Sequence, residues 1–180
     1  MQLLAHSDRV FTIPGFLDGA ECSELITLAE SAGFASASVR TAQGQQAMPQ
    51  IRNNERAMVE SPRWVQTLLP RLAGIGCPVL SGEQAVGLPK ALRFYRYTAG
   101  QRFKMHKDGP WTEEGRSSRL TFLVYLNEAF EGGATDFRDF QVTPQTGQAL
   151  LFIHDTWHEG AAVTHGVKYV LLSDVLYAAL

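Results

Sequence analysis

The spacing of apolar residues along the chain changes character near residue 88. Before that point, two stretches carry helical periodicity. Asp18-Gly19-Ala20-Glu21 has the form of a capping box, and Cys22, Leu25, Ile26 and Ala29 then fall on one face, which predicts a helix from about residue 18 to Gly33. Ser61-Pro62 sets proline at the first position of a second helix running through Trp64, Leu68 and Leu72 until Gly74 and Gly76 stop it. Between them, Ser36 to Arg40 reads as extended. Thr41 to Asn54, rich in Gln, Gly and Asn, reads as a polar loop able to cover a site. From Leu88 onward the pattern becomes short runs of Val, Leu, Phe, Tyr and Thr between turn residues, near 90–98, 101–108, 118–127, 134–138, 140–143, 148–153, 157–163 and 167–177. About eight such strands make a jelly roll. The expected fold is therefore mainly β (α+β): a double-stranded β-helix with N-terminal helices packed on its major sheet. One domain is expected over residues 1–180, with an N-terminal helical part at about 1–87 and a jelly-roll core at about 88–178.

Composition narrows the function without naming it. A chain of 180 residues that is 45% hydrophobic can bury one sizeable core. Sixteen Lys+Arg against eighteen Asp+Glu leave a net charge of -2 and no basic run, so nucleic acid is not an expected partner. The longest apolar runs, such as Leu120 to Leu126, are far short of the roughly 20 residues that cross a bilayer. The first residues, Met1 to Asp8, lack the features of a secretory signal, so a cytoplasmic location is expected. Cys22 and Cys77 sit in apolar settings without the paired spacing of a zinc site and read as reduced core thiols.

His106-Lys107-Asp108 introduces candidate chemistry. Residues two apart on a strand point to one face, so this imidazole and carboxylate could grip one ion. His158, fifty residues beyond Asp108, would be the third ligand. Two imidazoles and a carboxylate on one face of an octahedral ion form the facial triad of iron(II) oxygenases. A lone His-x-Asp is nonetheless a common pattern, and most such histidines are surface or hydrogen-bonded groups. A competing zinc reading pairs His154 with His158 at i,i+4; it needs a helix, lacks the acid of His-Glu-x-x-His, and sits poorly with the strand-like Trp157, Gly160 and Val163. His6 and His165 read as solvated. Lys168 lies in an otherwise apolar strand, where it either reaches water along its aliphatic stem or, if buried, needs an anion. The distal carboxylate of 2-oxoglutarate would be such an anion. Thr121 and Tyr125 share a strand face and could bring hydroxyls to the same carboxylate, or could be satisfied core hydroxyls.

Taken in order, these pieces resemble a known family. Tyr97-Thr98-Ala99-Gly100-Gln101-Arg102-Phe103-Lys104-Met105-His106-Lys107-Asp108 is similar to the Tyr-x-x-Gly-Gln-x-Phe/Tyr-x-x-His-x-Asp stretch of prolyl 4-hydroxylases. Arg119 to Asn127 and Gly132-Gly133-Ala134-Thr135-Asp136-Phe137 resemble their Arg-x-x-Thr-x-x-x-Tyr-Leu-Asn and Gly-Gly-x-Thr-x-Phe elements, with Thr121 one place off the commonest register. Trp157-His158-Glu159-Gly160 and Gly166-Val167-Lys168-Tyr169 complete a likeness covering about residues 88 to 178. The resemblance implies a 2-oxoglutarate/Fe(II)-dependent dioxygenase that hydroxylates a C–H bond, with release of succinate and CO2. Iron would sit on His106, Asp108 and His158, and 2-oxoglutarate on Lys168 with Tyr125 and Tyr97 beside it. O2 would be the oxidant and ascorbate a reductant.

A prolyl residue in a peptide or protein is the substrate this implies, lined by Arg52, Trp157 and the 41–56 loop. Asn53-Asn54 stands where the family often has Thr-Ser after the arginine. A free amino acid or small metabolite is the alternative substrate. A metal-binding jelly-roll sensing module without catalysis is the alternative of another class. The chain is expected to act as a monomer or homodimer.

Overall fold

The computed structural model describes residues 1–180, the side chain of Arg40 excepted. Two helices form where the periodicity predicts. In α1 (Gly19–Ala32), Asp18 accepts the Glu21 N–H and Glu21 reaches back to the Asp18 N–H. In α2 (Pro62–Ile75), the Ser61 hydroxyl caps the first turn. Arg71 of α2 pairs with Glu21 at 2.6 Å, so the cap of one helix also ties it to the other. No helix among the described residues is long and apolar enough to cross a membrane.

The rest is an antiparallel double layer. The large sheet runs Leu4–Ala5, Val10–Ile13, Ala149–Ile153, Arg116–Tyr125, Lys168–Ala179, Ala91–Tyr97, Glu55–Glu60 and Ala35–Ser36, with Thr112–Glu113 and Glu83–Gly87 pairing off that path. The small sheet runs Gln141–Val142, Thr135–Asp136, His158–Gly160 and Phe103–His106. This is the expected jelly roll with helices on its major sheet, with one correction to the division at residue 87. Val10–Ile13, Glu55–Glu60 and Glu83–Gly87 are strands of the large sheet, so the N-terminal part supplies β-structure as well as helices. The stretch expected as a loop holds half of a hairpin, Val39–Thr41 with Gly44–Gln46.

Strand alternation divides the interior into two cores. Leu120, Phe122 and Val124 pack with Phe94, Leu171 and Val175 against Leu25, Leu68 and Leu72 of the helices. Their neighbours Leu123 and Tyr125 turn the other way, joining Tyr95, Tyr97, Val170 and Phe152 between the sheets. Function is placed on that second face.

Candidate metal centre

The antiparallel register of Phe103–His106 with His158–Gly160 sets His158 opposite His106, ring centroids 4.2 Å apart. Each Nδ1 faces a main-chain carbonyl two residues earlier: Lys104 O at 2.7 Å for His106 and Thr156 O at 2.9 Å for His158. A carbonyl only accepts, so Nδ1 carries the proton in both rings and Nε2 keeps the lone pair a metal needs. Asp108 lies against both, Oδ1 at 3.6 Å from His106 Nε2 and Oδ2 at 3.6 Å from His158 Nε2. One donor atom from each residue falls within 4.8 Å of the others. Asp108 is not on the strand, as the spacing argument assumed. The strand ends at His106, and Asp108 sits in the following loop, its N–H bonded to His154 O at 3.0 Å.

Burial prepares these groups for a cation. It pushes the His158 imidazole down to about 4, against the pull of Asp108, so the ring is neutral at physiological pH. It also opposes ionisation of Asp108, but the adjoining His106 and His158 rings and the Thr121 hydroxyl outweigh it and hold this carboxyl below its ordinary range. Neutral imidazole nitrogen and ionised carboxylate oxygen are the forms that bind metal, so the donor set fits a divalent transition ion. Phe103 stacks on His106 with centroids 3.5 Å apart, and the Phe152 ring lies 4.4 Å from His158, which walls the pair with apolar surface.

Lys168 reaches the same cleft from Lys168–Ala179 and is 3% exposed. Its ammonium donates to Gly133 O at 2.6 Å. Burial alone pushes it down to about 7, with no carboxylate offsetting that cost. The rings of Tyr97 and Tyr125 lie 5.2 and 5.4 Å from Nζ, and the Tyr125 hydroxyl is hydrogen-bonded to Thr135 Oγ1 at 2.6 Å. Gly133 makes the close approach possible. At φ +67°, a Cβ there would meet Phe130 Cε2 at 2.9 Å and Lys168 Cδ at 3.2 Å.

Thr121 corrects the expectation made for it. Its hydroxyl donates to Asp108 Oδ2 at 2.6 Å instead of standing beside Lys168. It does share a face with Tyr125, but four residues along a strand span about 13 Å, too far for two hydroxyls to meet one carboxylate. The histidine that the zinc reading paired with His158 is also accounted for. His154 occupies a turn rather than a helix and bonds Thr121 and Ser118, each at 3.0 Å. His6 and His165 are exposed as expected. Arg93 and Arg119 are paired with Asp174 and Glu83, each at 2.6 Å, and Arg102 is exposed. No role was expected from the sequence for Thr135 or Asp174, whereas Arg93, Arg102 and Arg119 were the alternatives to Lys168 for holding the carboxylate. Asp174 was findable, since residues 168, 170, 172 and 174 alternate onto one strand face.

The cleft measures about 890 Å³ and includes the expected substrate residues. Arg52 is 6% exposed, its guanidinium between the rings of Tyr95 and Phe103 at 4.2 and 4.4 Å. Its Nε donates to Asn54 Oδ1 at 2.8 Å, while one terminal nitrogen is buried without a partner. Trp157 is 41% exposed, with Arg138 4.4 Å and Lys107 5.3 Å from its ring. From the expected loop, Gln45, Ile51 and Arg52 reach the lining.

The family model of the 2OG-Fe(II) oxygenase superfamily matches residues 92–173. A PKHD-type hydroxylase of Thioalkalivibrio sulfidiphilus is 30% identical over 173 residues, which cover 88% of this chain and 74% of that protein. A probable prolyl 4-hydroxylase of Arabidopsis thaliana is 26% identical over 84% of this chain, and the chain spans 60% of that relative's length. Among solved structures, a viral collagen prolyl hydroxylase from Paramecium bursaria Chlorella virus-1, as its 2OG complex, superposes with a TM-score of 0.66 at 21% identity, covering 96% of this chain and 98% of that one. A Pseudomonas putida prolyl-4-hydroxylase gives a TM-score of 0.68 at 15% identity over 95% and 92% of the two chains. A Trichoplax adhaerens prolyl hydroxylase, bound to a peptide fragment of the hypoxia inducible factor oxygen degradation domain, gives 0.67 at 20% identity over 94% and 84%. The structural likenesses agree on the fold, the identity to the bacterial hydroxylase extends over most of both proteins, and the chain belongs to the 2OG-Fe(II) oxygenase superfamily.

Proposed function

We propose that this chain hydroxylates a C–H bond of a prolyl residue in a peptide or protein, using iron(II), 2-oxoglutarate and O2. One observation carries the reading: Lys168, a buried ammonium without a carboxylate partner, lines the same cleft as a two-histidine, one-carboxylate donor set. A buried unpaired charge costs several kcal/mol and calls for an anion. A dicarboxylic keto acid supplies one at its far end while its near end can chelate a metal. When bound, the iron and the keto acid supply the oxidising chemistry, with succinate and CO2 as co-products.

The protein's own groups supply placement. His106, Asp108 and His158 would hold the ion from one side and leave its other positions open. Lys168 would pair with the distal carboxylate, with Tyr97 and the Tyr125–Thr135 hydroxyl pair alongside. Phe103, Phe152 and Leu123 keep the centre apolar, which favours substrate over water. Arg52 and Trp157 would meet the substrate at the cleft wall. The relatives named for prolyl hydroxylation, one of them bound to a peptide, support a peptide or protein substrate.

A free amino acid or small carboxylate metabolite is the second reading, favoured by Arg52. Its buried terminal nitrogen lacks a partner, and an anionic group on a small substrate would satisfy it. Mass spectrometry of proline-containing peptides and free amino acids, incubated with protein, iron(II), 2-oxoglutarate and air, separates the two. A gain of one oxygen on peptides supports the first reading. A gain confined to free amino acids supports the second, and conversion of neither with no succinate formed rejects both.

A further inference from the structure

A line of hydrogen bonds leads into the metal centre from outside it. The Trp111 backbone N–H donates to Ser118 Oγ at 3.0 Å, and Ser118 Oγ lies 3.0 Å from His154 Nε2. His154 Nδ1 lies 3.0 Å from Thr121 Oγ1, which donates to Asp108 Oδ2 at 2.6 Å. The two ends fix the direction of the whole series. A backbone N–H can only donate and an ionised carboxylate can only accept. Thr121 has one proton and spends it on Asp108, so its oxygen must receive the next proton, from His154 Nδ1–H. The neutral ring then accepts at Nε2 from the Ser118 hydroxyl, whose oxygen receives the Trp111 N–H.

One tautomer of His154 satisfies every link; the other sets the Nδ1 lone pair against the Thr121 oxygen. Ser118, Thr121 and His154 are 0%, 1% and 4% exposed, where a misdirected lone pair is costly. Asp174 does not compete for the ring. Its Oδ2 is held by Arg93 and by Trp111 Nε1 at 2.6 and 2.9 Å, and its Oδ1 is 3.7 Å from His154 Nε2, beyond hydrogen-bond reach.

We infer that His154 is a positioning residue of the metal centre: through Thr121 it holds Asp108 Oδ2 and so fixes how the carboxylate is turned toward the Nε2 atoms of His106 and His158. His154 also fixes the Asp108 backbone, by accepting its N–H at the His154 carbonyl. The same residue therefore sets both where the ligand sits and how its carboxylate is turned.

This inference rests on the metal reading of the cleft, and the experiment separates the two. Co(II) is titrated into the full metal-free chain and followed by its absorption, without turnover. His106→Ala must abolish binding if the centre is a metal site. His154→Gln, whose amide reaches toward Nε2, and Thr121→Val, which keeps shape without the hydroxyl, should each weaken Co(II) binding by about 10-fold or more. His154→Asn, whose amide N–H falls near Nδ1, should restore most of the affinity. Adding His154→Gln to Thr121→Val should cost nothing further, because the effect passes through Thr121. Equal losses in the Asn and Gln variants, additive losses in the double variant, or wild-type affinity in His154→Gln would make His154 a packing residue and overturn the inference. Failure of His106-dependent binding in the wild type would overturn both readings. A measurement free of variant folding is the long-range 1H–15N NMR spectrum of the wild type, which should show His154 as the Nδ1–H tautomer; the Nε2–H tautomer would refute the relay.

Discussion

Lys168 sets the terms at the scale of single residues, because its position is poor for stability and good for binding. The ammonium ordinarily titrates near 10.5 and here at about 7, so between those values the unfolded chain binds a proton that the folded chain has shed. Stability should therefore rise with pH from about 7 toward 10.5, since it increases wherever the unfolded state holds more protons. Urea unfolding of the metal-free protein across that range checks the sign, and Lys168→Met should flatten the rise. The same substitution should raise the melting temperature of the metal-free protein at pH 7, by about 2–4 °C for each kcal/mol recovered, and abolish 2-oxoglutarate binding. An unchanged affinity would place the carboxylate elsewhere. Because the dicarboxylate pairs with the ammonium form, affinity should fall above pH 7 and binding there should take up a proton. Calorimetry in buffers of differing ionisation enthalpy reads that uptake directly.

At the scale of elements, the distinction is between signals carried by neighbours and signals carried by partners. The capping box of α1 is local, and Asp18→Ala should cost about 1 kcal/mol of stability while leaving 2-oxoglutarate affinity alone. Gly133→Ala should do both kinds of damage. A side chain at φ +67° is strained by about 1–3 kcal/mol, and its Cβ would crowd Phe130 and the Lys168 stem, so the 2-oxoglutarate requirement should rise as stability falls. Thermal unfolding and a 2-oxoglutarate titration of the two variants should thus diverge. Both helices and the strands after residue 88 were legible because apolar residues repeat on them with the period of the element. Glu55–Glu60 was not legible. Only Ala57 of its six residues is buried, so it has no apolar alternation to read and pairs by its backbone with Ala91–Tyr97. Val10–Ile13 is too short for a period to show.

For the whole molecule, the two sheets bring together groups that stand far apart in the chain, and ligands should act on the fold as one. Co(II) with 2-oxoglutarate should raise the melting temperature of the wild type, each ligand adding about 2.7 kcal/mol of stability at a hundredfold excess over its dissociation constant, and should leave His106→Ala unmoved by the metal. Differential scanning fluorimetry with each ligand alone and with both would read this. A shift that survives in His106→Ala would mean the ion binds somewhere else.

By itself the sequence determined the fold class, the two capped helices, the three metal-ligand candidates and Lys168, because periodicity and caps are written within a few positions of one another and the order of short motifs along the chain links His106 and Asp108 to His158 and Lys168. The tertiary structure alone decided the rest. It took Thr121 from the cosubstrate to Asp108, and seated His154 behind that threonine. It also placed Asp108 just beyond a strand and left one nitrogen of Arg52 unpartnered in the cleft. The physical reason is that a strand's period says which face a side chain takes. How far along that face its partner stands follows from the register of Arg116–Tyr125 against Lys168–Ala179 and of Phe103–His106 against His158–Gly160. That register is a property of long-range pairing.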